Sequence, residues 1–137
     1  HCPFVIHINT TLVTLANTLQ KKGINMIAIS SNNVERYPQD GPEQMRIHAA
    51  EQNYPFPYLY DETQYIAKAY DATCTPDFFL FDSNLKLVYR GQLDASRPGN
   101  GIPVDGDDLI NASHCLIENK ENTRQQKPSI GCSIKWK

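Results

Sequence analysis

The chain has 137 residues, 40% of them apolar and 20% charged, and a formal net charge of −2. That is the length of one domain, too apolar for a disordered chain, and without the basic excess of a nucleic-acid binder. No apolar run approaches the ~20 residues of a membrane-spanning helix. The chain opens at His1 rather than Met, so its native start is expected to lie upstream. Four cysteines, Cys2, Cys74, Cys115 and Cys132, are too sparse for a disulfide-stapled scaffold and include no Cys-x-x-Cys pair. A four-thiolate zinc site therefore has no support.

In chain order, Cys2-Pro3 reads as a helix start, because proline suits the first helical position. Ile8, Leu12, Leu15 and Leu19 then mark one apolar face, and Gly23 sits where a helix-ending glycine belongs. Met26 to Ile29 is a short apolar run that predicts a buried strand. Ser30 to Pro42 is polar and turn-rich, a loop. A second helix is expected from Pro42 to about Gln52, then a short extended piece at Tyr58-Leu59-Tyr60. Asp61 can cap a third helix with Gln64 in the reciprocal position, and Ile66 and Tyr70 facing inward.

Phe78 to Phe81 predicts a second buried strand. Ser83-Asn84 turns it into an antiparallel partner in which Leu85, Leu87 and Tyr89 alternate with polar or smaller residues. Arg97 to Gly101 is a loop. Leu109, Ala112 and Leu116 give a last amphipathic helix that also holds Cys115, expected in the core. Glu118 to Lys127 is polar and expected to be exposed. The order of elements indicates an α/β layer fold: a thioredoxin-like three-layer arrangement, a mixed sheet with helices on both faces. Such a sheet needs one more central strand, expected upstream of residue 1, so the chain reads as a piece of a longer protein. Its expected organisation is a domain at 1–119 and a tail at 120–137 that packs back through Ile134 and Trp136.

Cys2-Pro3 opening a long helix, and Thr75-Pro76 just before a Phe-rich strand, resemble the two poles of a thioredoxin-like active site. Stretches across nearly the whole chain resemble the peroxiredoxin-like branch of that superfamily, the redoxin or AhpC/TSA-type proteins. They are His1-Cys2-Pro3-Phe4-Val5, Pro57 to Glu62, Cys74-Thr75-Pro76-Asp77-Phe78-Phe79, Tyr89 to Asp94, and Pro128-Ser129-Ile130-Gly131-Cys132. The resemblance implies a thiol-dependent enzyme, a thiol–disulfide oxidoreductase or a peroxiredoxin-like antioxidant protein. Its partners would be a protein disulfide or peroxide substrate and a thiol reductant, without cofactor, and its setting cytoplasmic. It further implies a cis Thr75–Pro76 bond and a second cysteine three positions before Cys2.

Cys2 is the candidate catalytic residue. A sulfur at a helix N-terminus faces free N–H groups and the positive end of the helix dipole, which favour the thiolate nucleophile. His1, Pro3, Thr75 and Pro76 are its expected neighbours, and a protonated His1 would add to the effect. Cys132 and Cys74 are the candidates for a resolving role, Cys74 with a competing reading as a buried structural thiol. True peroxiredoxins hold peroxide with an arginine near the site and a threonine or serine three residues before the reactive cysteine, a position that lies upstream of His1; the usual Arg-Gly before the second buried strand is replaced by Thr75-Pro76, and neither Arg90 nor Arg97 has the right spacing. Disulfide exchange is therefore favoured over peroxide reduction. The competing class is a non-catalytic thioredoxin-fold binding module with a partner in the groove beside Pro76. His1, Cys2 and His7 lack the spacing of helical metal ligands, and no metal is expected.

Overall fold

The computed structural model describes all 137 residues, an α/β arrangement of four helices and six short strands. Helix α1 spans Pro3–Lys21, α2 Pro42–Glu51, α3 Tyr65–Ala69 and α4 Asp107–Ile117. The strands are β1 Ala28–Ser30, β2 Tyr58–Tyr60, β3 Cys74–Thr75, β4 Phe78–Phe81, β5 Leu87–Gly91 and β6 Cys132–Ser133. They pair as three two-stranded ladders: β1 parallel to β2, β3 antiparallel to β6, and β4 antiparallel to β5. The single mixed sheet expected from the sequence is thus divided, because no strand hydrogen-bonds β1 to β4.

The α1 stripe does what its period dictates. Ile8, Leu15 and Leu19 pack with Leu80, Tyr89, Leu93, Leu109 and Ala112, so α1 and α4 share one core with the β4–β5 ladder. Leu12 and Ala16 join Phe56 in a second cluster on the side of β1. Gly23 takes a φ of +86°, a conformation costly for any residue with a Cβ, and stops α1 there.

Several local expectations need correction. The first strand lies two residues later than the apolar run, and Ile27 and Ile29 are exposed, since only one face of the β1–β2 ladder is covered. The Ser30–Pro42 loop contains a 3₁₀ turn at Pro38–Asp40. Leu85 is not a strand residue: it sits at φ +60° in the turn and is 83% exposed. A register irregularity between Leu80 and Phe81 shortens the ladder, so β5 begins at Leu87. Ile66 and Tyr70 are not buried, at 36% and 41% exposed, although the Tyr70 ring packs edge-on against Phe79 and Phe81. Cys115 is only partly buried, because α4 turns Leu109, Ala112 and Ser113 inward instead.

Residues 120–137 return across the domain. The Lys127 carbonyl accepts from the Gln92 N–H, Gln126 Oε1 from the Arg90 N–H, and Ser129 Oγ donates to the Gly91 carbonyl. Gly91 has no room for a side chain, because a Cβ would lie 2.4 Å from the Lys127 oxygen. Farther on, β6 pairs with β3, and Ile134 is buried. Trp136 is not buried as its size suggested. It remains 41% exposed, with Lys68 Nζ 5.8 Å from its ring. No helix is long and apolar enough to cross a membrane.

Candidate active site at the start of α1

Cys2 is the N-cap of α1, with extended backbone angles and Pro3 as the first helical residue. Its carbonyl accepts from the Val5 and Ile6 N–H groups at 3.0 Å each, which fixes the sulfur at the open end of the helix. The side chain points inward, and the residue is 5% exposed. Its Sγ lies 3.3 Å from the Thr75 carbonyl oxygen and 2.8 Å from Cys132 Sγ. The elements meeting at this sulfur are therefore α1, β3 and β6, drawn from the two ends and the middle of the chain.

Thr75 and Pro76 are joined by a cis peptide bond. Thr75 pairs with Cys132, and Cys74 with Ser133, in the β3–β6 register. Side chains alternate along a strand, so Cys74 and Thr75 leave the ladder on opposite faces. Cys74 Sγ faces the Pro76 carbonyl at 3.7 Å, and its sulfur makes no contact with Cys2 of the kind Cys132 makes.

The thiols differ in electrostatics. Burial pushes the Cys2 thiol up. Hydrogen bonds from the Cys132 thiol, the Thr75 hydroxyl and the Val5 and Cys132 N–H groups outweigh that and hold it below its ordinary value. The Thr75 hydroxyl is buried and has no other partner, so its proton is free for the sulfur. Cys132 moves the opposite way, raised by burial and then by its contact with Cys2. Cys74 is also raised, by burial and by the nearby Asp77 carboxylate. The thiolate is thus favoured at one sulfur of the close pair and the thiol at the other.

His1 is turned toward Asp40. Its Nδ1 lies 2.6 Å from Asp40 Oδ2, its backbone nitrogen donates to Asp40 Oδ1 at 2.7 Å, and its ring stacks on Tyr37. The buried Asp40 carboxylate, not Cys2, is the partner of the histidine. Neither arginine points to the sulfur. Arg90 lies over Phe79 and reaches Asp71 and Asp77, while Arg97 donates to the Asp94 and Ser96 carbonyls and to Gln92 Oε1. His7 is held by Ser96 Oγ at 2.7 Å. No three His, Cys, Asp or Glu side chains converge as a metal site would require.

Two residues that build the site went unread in the sequence. Gln64, expected as a helix cap, is 1% exposed and serves the tail. Its Nε2 donates to the Ser31 and Lys135 carbonyls at 2.7 and 2.8 Å, and its Oε1 accepts from the Lys137 N–H. The N-cap position of α3 is Gln64 itself, at φ +61° and without a side-chain cap, whereas Asp61, three residues earlier, accepts from the Ala67 N–H and Ser31 Oγ. Asn32 and Asn33 complete the anchor: Asn32 Oδ1 accepts from the Lys135 N–H, and the Asn33 N–H donates to the Lys135 carbonyl. The second residue is Gly131, where a Cβ would lie 1.9 Å from the Thr75 oxygen and 2.6 Å from its carbonyl carbon. Only glycine lets the tail backbone come this close to β3. A glycine directly before a cysteine was the available signal, but it does not say what the glycine approaches.

Comparison with known proteins gives the family. The family model described as AhpC/TSA family matches residues 1–90. The chain also superimposes on a crystal structure of an uncharacterized conserved protein from Geobacillus kaustophilus, with a TM-score of 0.98 at 60% sequence identity. That match covers 100% of this chain and 72% of the other. A hypothetical protein from Sinorhizobium meliloti 1021 gives a TM-score of 0.98 at 44% identity, covering 100% of this chain and 75% of that one. None of the curated proteins compared matches. With the family model spanning well over half of its length, the chain belongs to the AhpC/TSA family.

Proposed function

We propose that the chain is a thiol-dependent oxidoreductase of thioredoxin-like architecture in which Cys2 is the reacting sulfur. The observation that carries this reading is the setting of that sulfur. It sits at the first turn of α1, beside the Thr75–Pro76 segment, with more hydrogen-bond support for its thiolate than burial removes. The parallel β1–β2 pair, the antiparallel β4–β5 pair and the helices packed on them support the thioredoxin-like reading.

Thiol–disulfide exchange is the favoured reaction, with a disulfide substrate and a thiol reductant as partners. Peroxide reduction would want a cationic group near the sulfur to hold the oxidant. Arg90 and Arg97 are both engaged elsewhere, and His1 is paired with Asp40. A second cysteine close to Cys2 favours exchange, since a mixed disulfide can then be resolved within the chain. A purely binding role for the edge of β3 nearest Cys2 is disfavoured, because the chain's own β6 pairs with β3 there.

The test is reduction of a small aromatic disulfide with dithiothreitol as the electron source, alongside consumption of hydrogen peroxide. The unaltered chain is expected to accelerate the disulfide reaction more than the peroxide reaction, and Cys2→Ser to lower the former to background. A Cys2→Ser chain as active as the parent would overturn the reading.

A further inference from the structure

Cys2 and Cys132 lie 130 positions apart in sequence, yet their sulfurs are 2.8 Å apart, within an ångström of the ~2.05 Å of a disulfide bond. The approach is built from both sides of Cys132. On one side, Gly131 lies against the Thr75 backbone with no space for a Cβ. On the other, Lys135 is held at both its N–H and its carbonyl by Asn32, Asn33 and Gln64, and Ile134 is buried. Between them the β3–β6 register sets Cys132 opposite Thr75, the residue that faces Cys2. A tail pinned at two points around one cysteine is a device for placing that cysteine.

We propose that Cys2 and Cys132 form a reversible intrachain disulfide, and that small thiols and small disulfides exchange with it at Cys132. This rests on the reading of Cys2 as a reactive thiolate. It adds the second sulfur, the point of entry and the size of the co-substrate.

The point of entry follows from access. Cys2 is buried, whereas Cys132 is only partly covered and sits on the outer strand. The size limit follows from the ladder. An extended polypeptide substrate adding to β3 on the side that faces the two sulfurs would have to displace β6, which is already paired there. A small thiol needs no ladder.

The exchange balances as follows. A small thiolate RS⁻ attacks Cys132 Sγ, the Cys2–Cys132 bond breaks, and Cys2 leaves as its thiolate. A second RS⁻ then attacks the R sulfur of the mixed disulfide, releasing RSSR and the Cys132 thiolate, which takes a proton from water. Two thiols have lost two electrons in all, and the protein disulfide has gained them. Oxidation by RSSR is the reverse, with the Cys2 thiolate closing the ring by attack on the Cys132 mixed disulfide. The leaving sulfur is the one whose thiolate the site stabilises, which speeds opening in this direction.

The decisive experiment oxidises the unaltered chain with excess oxidised glutathione, counts free thiols and maps disulfide-linked peptides. The expected result is a fall from four free thiols to two, with the Cys2 and Cys132 peptides joined. Cys2→Ser should then accumulate glutathione on Cys132 at least ten times faster than Cys132→Ser accumulates it on Cys2. Four thiols remaining, a link to Cys74 or Cys115 instead, or equal labelling in the two variants would overturn the proposal. The thiol count and the mapping use the unaltered chain, so a variant that fails to fold leaves the test intact. Failure of the underlying reading looks different: Cys2 would then titrate as an ordinary thiol whatever Cys132 does.

Discussion

Gly131→Ala perturbs the site at a single atom. The added Cβ would stand 1.9 Å from the Thr75 oxygen, where ordinary contact begins at 3.4 Å, so the two backbones must part by about 1.5 Å. Both colliding groups are main chain, and neither can turn aside as a flexible side chain would. Hydrogen bonds of a β-ladder weaken steeply beyond ~3.2 Å, so a movement of that size breaks the β3–β6 pairing. Overpacking of this kind costs about 1–3 kcal/mol, which urea denaturation should read as a lower midpoint at unchanged slope.

The functional effect should exceed the stability effect. Parting the strands by about 1.5 Å carries Cys132 Sγ from 2.8 Å to roughly 4 Å from Cys2, too far for a sulfur–sulfur hydrogen bond and well beyond bonding distance. Cys2–Cys132 closure by oxidised glutathione should slow at least tenfold. Amide exchange at Cys132 and Ser133 should quicken, while Lys135, anchored separately by Asn32, Asn33 and Gln64, stays protected. Unchanged amide protection at Ser133 together with an unchanged closure rate would refute the reasoning, since the chain would then have found room the backbone does not show.

Other perturbations separate the remaining parts. Cys132→Ala removes a donor to the Cys2 sulfur, so the midpoint of Cys2 thiolate absorbance against pH should move upward from its depressed position; a midpoint that stays put would show the two sulfurs to be uncoupled. Because folding lowers the Cys2 pKa, its thiolate contributes stability above the ordinary value of 9.0, and that contribution fades as pH falls through the folded pKa. Cys132, raised on folding, contributes with the opposite sign, fully below its ordinary value and lost as pH rises through the folded one. Because Cys132→Ala takes away the largest of the hydrogen bonds that lower the Cys2 pKa, denaturation of that variant from pH 7 upward should show a smaller rise in folding stability through the Cys2 titration than the unaltered chain shows. Gln64→Ala strips partners from the Ser31 and Lys135 carbonyls and the Lys137 N–H. It should cost about 1–3 kcal/mol and expose the last residues to carboxypeptidase. Asp61→Ala removes the acceptor of the Ala67 N–H and the Ser31 hydroxyl at the start of α3 and should cost about 1–3 kcal/mol by thermal denaturation, without changing Cys2 titration.

What the sequence showed and what it hid divide by the range of the interactions involved. Helix α1 was legible because its start, stripe and stop are local: Pro3 at the first position, apolar residues at helical spacing, and Gly23 where the chain needs a positive φ. Cys2 was legible as a candidate for the same reason, since the free N–H groups of a helix start belong to the helix itself. The ladder that completes the site is two residues long on each side and joins positions 74–75 to 132–133, so it has no period to read. Alternation over two residues is no signal, and the contact that decides its register is the missing side chain of Gly131. Gln64 misled because its spacing from Asp61 fits a reciprocal cap, whereas the fold brings Lys135 and Lys137 to its amide and gives it better partners than the helix end. The same logic accounts for Trp136. Its size suggested burial, but the tail is held by main-chain hydrogen bonds and Ile134, so the indole can lie half-open beneath Lys68 without loosening it. A tail held by its backbone and by Ile134 can set one cysteine beside another while the indole stays half-open, so of the two anchors the sequence offered, Ile134 serves and Trp136 does not.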